Sequence, residues 1–313
     1  MEKGKKRVVC YGEVLIDFLN VKENLFEANP GGAPANVAAA IAKFEGKSFL
    51  ISQVGNDMFG KMIIDSLSAC GVDISNVKMT DEYFTTLAFV KLDSRGERSF
   101  SFSRKYGADV YLRVEDIDMN IVKSADIFHF GSLSMTYEQN KRTTLELLKI
   151  ARQGGSVISY DPNYRSSLWE SQKKALDTMI EPVENGFVDI LKMSEEEVLL
   201  YEKSADNFYS RIKDKVKIFL VTFGEKGSMI FFKGKSYFVD TIKVDVVDTT
   251  GCGDCFVGMV LYEISKSLPI EQVSENEMVQ IVRKANIAGA LCATKKGAIP
   301  AIPLYKEVMK FVQ

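Results

Sequence analysis

The chain has 313 residues, 46% of them hydrophobic and 26% charged, with 22 glycines and 7 prolines, a composition that fits a globular protein and excludes disordered, collagen-like and low-complexity classes. Forty Lys and Arg against 42 Asp and Glu leave a net charge of −2, so no global positive field exists to draw a nucleic-acid backbone or an anionic membrane. With one histidine, His129, a three-His metal site is excluded, and acid–base chemistry falls to carboxylates.

Short β-rich apolar runs alternate along the chain with longer helical patterns. Strand Val8–Tyr11 precedes helix Ala35–Phe44, and Ser48–Val54 precedes Phe59–Cys70. Further on, Ile127–Phe130 is followed by Glu138–Gln153, and Val157–Tyr160 by Ser171–Glu184. Val188–Leu191, a helical Glu195–Tyr201, strand Ile218–Thr222 and helices Gly253–Lys266 and Glu275–Ala293 complete the series. Runs that are apolar throughout belong to strands covered on both faces, so the pattern predicts an α/β protein with a mostly parallel central sheet. One segment breaks the rhythm: Thr85–Leu92 and Arg98–Ser103 read as a hairpin joined by Asp93–Glu97, with no helix between. With Glu13–Asn20 it predicts either a small antiparallel sheet projecting from the body or an antiparallel edge of the core sheet. Cys10, Cys70, Cys252, Cys255 and Cys292 are too few and too scattered for a disulfide framework. The apolar run behind the basic N-terminus is too short for a signal-peptide core, and no stretch reaches the ~18 apolar residues of a membrane span, so a cytoplasmic location is expected.

The strongest chemical signal is Asp248-Thr249-Thr250-Gly251-Cys252-Gly253-Asp254, where an apolar run meets a glycine turn that opens a helix. Convergent backbone amides and the helix dipole make such a turn a cradle for a transferring phosphate. A carboxylate at its mouth repels phosphate, so Asp254 belongs there either as the base for an attacking hydroxyl or as a helix N-cap. Three decoys fail. Gly251-Cys252-Gly253 starts a dinucleotide fingerprint that ends on Phe256 instead of glycine, which excludes a nicotinamide-dependent oxidoreductase of that type. Cys252 and Cys255 form a CxxC without two further ligands, and Gly234-Lys235-Ser236 lacks the upstream glycine of a P-loop, having Met229 there. A second glycine cluster, Gly31-Gly32, precedes an Ala-rich helix carrying Asn36, and marks either a tight turn or a ligand contact. Asp17 lies within the apolar Val14–Leu19, a costly position unless paired or bound to ligand hydroxyls.

Taken together these segments resemble the PfkB (ribokinase-like) carbohydrate kinases, most of all the members that phosphorylate fructose. The match runs in order over nearly the whole chain: Gly12–Asp17, Pro30–Ala38, Val54–Gly60, Thr85–Val90, Asp161–Arg165, Thr222–Gly227, Asp248–Asp254 and Lys295–Pro300. The resemblance implies a single domain over residues 1–313 with the ribokinase-like three-layer α/β fold. Its mostly parallel central sheet is flanked by helices, and residues 13–30 and 84–112 form a small antiparallel β lid. It implies ATP-dependent phosphorylation of a sugar, at O6 of fructose, with 2-keto-3-deoxygluconate or aminoimidazole riboside as alternative substrates and a non-catalytic sugar or nucleotide sensor as the alternative from another class. By the same resemblance Asp254 is the base, and the amides of Gly251, Cys252 and Gly253 form the anion hole. Asp17, Gly32, Asn36, Arg104 and Arg165 match substrate-binding positions. Thr222, Gly224, Gly227, Asn286 and Gly297 match the nucleotide side, while Glu197 and Asp248 match positions linked to Mg²⁺ and to a monovalent cation, K⁺. Two positions depart from the family pattern: Cys252 stands where alanine is usual, and Ser194 replaces the asparagine of an Asn-x-x-Glu motif that keeps Glu197. A homodimer paired through the lid is also implied.

Overall fold

The computed structural model describes residues 6–22, 24–92 and 98–312. Among the described residues thirteen strands form two sheets. The large sheet contains β1 (Arg7–Tyr11), β4 (Lys47–Gly55), β5 (Asp73–Thr80), β8 (Ile127–Gly131), β9 (Val157–Asp161), β10 (Ile190–Ser194), β11 (Ile218–Thr222), β12 (Ser228–Phe232) and β13 (Lys235–Val239), in the spatial order β13-β12-β11-β10-β9-β8-β1-β4-β5. Every pairing from β11 to β5 is parallel; only the β11–β12 and β12–β13 pairings at one edge are antiparallel. The small sheet contains β2 (Leu15–Lys22), β3 (Leu25–Gly31), β6 (Thr86–Leu92) and β7 (Arg98–Ser103), ordered β3-β2-β6-β7. The predicted turn Asp93–Glu97 lies outside the described residues.

Alternation along each central strand explains the continuous apolar runs. Val8 and Cys10 of β1 face one layer of helices while Val9 and Tyr11 face the other, and Ile218 and Leu220 of β11 divide in the same way from Phe219 and Val221. Both faces are buried, so neither can be polar. One glycine-permissive turn shapes an edge. Lys233 and Gly234 both have positive φ, 52° and 76°, which is the two-residue hairpin geometry joining β12 to β13. The segment that mimics a P-loop tail is therefore the turn of an edge hairpin.

The small sheet projects from the body. It is antiparallel in its β2–β3 and β6–β7 pairings and parallel where β2 meets β6. The parallel pair is consistent with the body: β1 and β5 both run parallel to β4, so the strands that follow them both leave from the carboxyl end of the large sheet's strands.

On one face of the body, helix Ala33–Lys43 lies against helix Cys252–Lys266 with almost no intervening side chain. Ala38, Ala39 and Ala40 are fully buried, and a Cβ on Gly258 would come within 2.5 Å of the Ala40 Cβ. The run of alanines is thus a requirement of backbone approach, and that approach sets the distance between the first turns of the two helices. No described helix is long and apolar enough to cross a membrane.

Candidate active site

The two close helices bring Asn36 and Asp254 together: the Asn36 Nδ2 donates to Asp254 Oδ2 at 2.8 Å. Helix Cys252–Lys266 is capped by Gly251, whose φ of 76° is left-handed, so the N-cap reading of Asp254 does not hold. Asp254 sits instead in the first turn, where the helix dipole favours its charge. A Cβ on Gly251 would stand 2.8 Å from that of Ala298, so a side chain at 251 would push the loop off its support. The Asp254 carboxylate opens onto a cavity yet is desolvated by the protein around it. This burial raises its pKa to about 6, reinforced by Asp161 and opposed by the Asn36 hydrogen bond and by Lys192 and Arg165.

That cavity, of about 180 Å³, lies between the body and the small sheet. The sheet contributes Asp17, Leu19, Val90 and Phe102; the body contributes Gly32, Asn36, Asn163, Arg165, Lys192 and Asp254. Asp17 is therefore at a cavity wall and not inside an apolar core. The glycine pair beside it permits this closeness, since a Cβ on Gly31 would lie 2.7 Å from Asp17 Oδ2 and one on Gly32 would lie 2.4 Å from the Glu13 carbonyl. Two acceptors here are buried with no hydrogen-bond partner, Asn36 Oδ1 and Glu13 Oε2. Glu13 Oε1 accepts from the amide of Ala33 at 3.1 Å, and burial pushes the Glu13 pKa up to about 7.

A second and larger cavity, of about 820 Å³, lies on the other side of the glycine loop and shares Thr249 and Gly253 with the first. Its walls include Thr222, Gly224, Gly227, Cys252 and Asn286. Gly227, at φ 115°, lies so close to β13 that a Cβ would fall 2.2 Å from the Val239 carbonyl. The Asn286 side chain is held by Ser228, which donates to its Oδ1 at 2.9 Å, while its Nδ2 donates to the carbonyls of Val239 and Asp240 at 2.8 and 3.1 Å. Two chambers joined at a turn of backbone amides can hold a hydroxyl acceptor on one side and a phosphate donor on the other.

The pfkB family carbohydrate kinase model matches residues 5–304. This chain belongs to the pfkB family. A probable fructokinase of Arabidopsis thaliana is 36% identical over 320 residues, covering 99% of this chain and 97% of its own. A fructokinase from Xylella fastidiosa with bound ATP superposes with a TM-score of 0.90 at 33% identity, covering 98% of each chain. A double mutant of the fructokinase from Vibrio cholerae O395, in a fructose-, ADP- and potassium-bound form, gives 0.89 at 31% identity with 99% of each chain covered. The pfkB protein is thus a carbohydrate kinase, a phosphotransferase enzyme with a ribokinase-like fold.

Several positions named from the sequence lie behind the walls of this kinase's cavities. Arg104 is 2% exposed; its Nε and one terminal nitrogen donate to Asp109 Oδ2 at 2.9 and 2.6 Å, and it also donates to Thr136 Oγ1 and the Leu133 carbonyl. Thr86 completes this buried network through its hydroxyl to Asp109. Asp248 braces the glycine loop: its Oδ1 accepts from the Thr250 amide and hydroxyl at 3.0 and 2.7 Å, and its Oδ2 from the amide of Gly297 at 3.0 Å. Glu197 accepts from the amide of Tyr164 at 2.6 Å and from that of Ser194 at 2.8 Å, while Ser194 caps the same helix through its hydroxyl. Burial and the neighbouring Asp161 push the Glu197 carboxyl upward against the pull of Lys192 and those amides. Among the described residues no group of three or more His, Cys, Asp or Glu can hold a metal ion. His129 is buried in β8 beside the Ser159 hydroxyl at 3.1 Å, and burial lowers its pKa to about 4, which keeps it neutral.

Lys192, Asn163 and Glu13 were missed as cavity residues. Lys192 had a signal, since a charge inside the apolar strand Ile-Leu-Lys-Met is the feature that singled out Asp17. Glu13 and Asn163 had none beyond their neighbours.

Proposed function

We propose that this kinase transfers the γ-phosphoryl group of ATP to O6 of fructose, with Asp254 as the base. The observation that carries this reading is the position of Asp254: its carboxylate faces the smaller cavity one residue from Gly253, which both cavities share. The sugar oxygen attacks the γ-phosphorus, its proton passes to the Asp254 carboxylate, and the bond from phosphorus to the β,γ-bridging oxygen breaks with its electron pair leaving on ADP. The amides of Gly251, Cys252 and Gly253 receive the charge on the transferring group. A pKa of about 6 brings the base nearer to neutral pH than an ordinary aspartate, which improves proton transfer.

Substrate binding falls to Asp17, Gly32, Asn36 and Arg165, and the orphaned acceptors Asn36 Oδ1 and Glu13 Oε2 suit a ligand rich in hydroxyl donors. In this reading Arg104 acts through Asp109 and Thr86 at the base of the small sheet. Thr222, Gly224, Gly227 and Asn286 form the nucleotide wall, with Gly297 supporting it through Asp248. Mg²⁺ arriving with ATP would supply charge neutralisation, and Glu197, held by the amides of Tyr164 and Ser194, is the residue the family resemblance links to it. A K⁺ ion beside the loop that Asp248 braces belongs to the same reading, as does a lid role for the small sheet within one working unit of residues 1–313. Exposed Val21, Leu25 and Phe26 on that sheet support pairing with a second copy.

A panel of fructose, ribose, 2-keto-3-deoxygluconate and aminoimidazole riboside, compared by kcat/KM with ATP, tests the substrate. Fructose should lead by at least about tenfold, a difference of roughly 1.4 kcal/mol in transition-state binding. A higher value for any other sugar overturns the assignment, and the sensor reading requires that none is turned over.

A further inference from the structure

One charged group on the wall of the smaller cavity is used by neither the base nor the amide loop. Lys192, on β10, is 9% exposed as a side chain and pairs with Asp161 Oδ2 at 3.0 Å. The pair accounts for its survival in the interior, since an unpaired buried ammonium costs several kcal/mol. It does not account for its reach. A Cβ on Gly253 would come within 3.3 Å of Lys192 Nζ, so the ammonium stands against the loop at a residue that has no side chain to cover it. The same cavity wall carries Thr249, Gly251 and Asp254. Although burial opposes its charge, Asp161 and Glu197 hold its pKa above the ordinary lysine value, so it is a cation at any working pH.

We propose that Lys192 is a catalytic residue, whose ammonium contacts an equatorial oxygen of the phosphoryl group in flight and completes the anion site that the loop amides begin. The proposal rests on the kinase reading above and adds to it a full positive charge where the amides offer only dipoles. Charge spreads over the equatorial oxygens during transfer, and a fixed cation in a desolvated cavity stabilises it without reorganisation. No proton leaves Lys192 in this step; the sugar proton still goes to Asp254. Asp161 is then a positioning residue, holding the ammonium against Gly253 while leaving its other protons for the substrate.

Lys192→Met should lower kcat by about 10²–10³-fold, the usual loss when one oxyanion donor is removed. The KM for fructose should change by less than about threefold, because the missing contact is made in the transition state. Binding of ADP with aluminium fluoride and fructose, a mimic of the transferring group, should be lost with kcat, while fructose alone binds as in the wild type. Lys192→Arg should recover part of both. The double variant Lys192→Met/Asp161→Asn guards against misfolding by removing the carboxylate left unpaired. Recovery of wild-type kcat in the double variant overturns the role, since it shows that Lys192 only neutralises Asp161. An unchanged kcat in folded Lys192→Met overturns it equally. If the wild type turns over no sugar of the panel, the kinase reading fails and this proposal with it; if the wild type is active and the variants match it, only the role of Lys192 falls.

Discussion

The body and the small sheet build opposite walls of the sugar cavity on different terms. On the body side, helix Ala33–Lys43 meets helix Cys252–Lys266 through Ala40 and Gly258, and every residue from Ala33 to Ile41 is buried. On the sheet side, Phe18 stacks on Phe89 at 5.2 Å and meets Phe59 edge-on at 5.5 Å, while Val21, Leu25 and Phe26 are exposed. Interdigitated small residues allow one arrangement, because any sliding brings backbone onto backbone. A few aromatic rings over a wet surface allow many. The proposed base Asp254, its partner Asn36 and the glycine loop all stand on the first wall. The second wall supplies Asp17, Val90 and Phe102, which need to be present only when a sugar is.

The largest effect should come from Asp254→Asn, which keeps the shape of the rigid wall and removes its base. A kcat lower by about 10²–10⁴-fold with fructose KM nearly constant is expected in steady-state assays, and turnover near that of the wild type would show that the proton leaves by another route. Next is Gly258→Val, which forces methyl groups into a gap where even a Cβ falls 2.5 Å from Ala40. Overpacking of this kind costs about 1–3 kcal/mol. Thermal unfolding should register the loss, and kcat should fall with it because the Asn36–Asp254 contact depends on the same approach. A stable variant with normal kcat would mean that the helix pair has slack.

How far the sequence disclosed these walls depended on whether a residue's role was local. Helix Glu138–Gln153 and strand Ile218–Thr222 were legible to the residue, because burial on one or both faces writes itself into hydrophobic spacing. Strand β5 was not, since Asp73–Thr80 lies at an edge and mixes Asp, Ser, Asn and Lys with its apolar positions. The β12–β13 hairpin was passed over because Gly234-Lys235-Ser236, which begins in its turn, was weighed as a phosphate motif. Asp254, Asn36 and Asp17 were legible as chemistry out of place: carboxylates at a phosphate cradle and in an apolar run, and an amide beside paired glycines. Arg104 matches a substrate-binding position only through the family resemblance; its buried pairing with Asp109 and Thr136 depends on where the chain folds back, which spacing does not record. Glu197 matches a Mg²⁺-linked position through the same resemblance, while its two amide partners, at Tyr164 and Ser194, are set by tertiary structure and leave no mark in spacing.

Two smaller changes sharpen the contrast between the walls. Asn36→Ala removes the hydrogen bond that favours the charged form of Asp254, so the pKa of the base should rise above its present value of about 6. Activity needs the carboxylate and is lost as pH falls through that pKa; in the variant the acid limb of kcat/KM should therefore move to higher pH. An acid limb that stays in place would separate Asn36 from the base. The smallest effect on turnover is expected for Phe59→Ala, at the seam where the body helix Met58–Ala69 meets Phe18 of the small sheet. It removes the edge-on contact with Phe18, worth roughly 0.5–1.5 kcal/mol beyond area burial, and leaves the helix pair untouched. With Asp254 and the glycine loop unmoved, kcat at saturating fructose should stay within about threefold of the wild type. In the lid role proposed for it, the sheet would close less completely, so ATP hydrolysis per fructose phosphorylated should increase and fructose KM should rise. Measuring ADP release against fructose phosphate in one reaction separates the two walls: a fall in kcat with no extra hydrolysis would show that the seam at Phe59 sets the geometry of the reacting groups and not the closure proposed for the sheet.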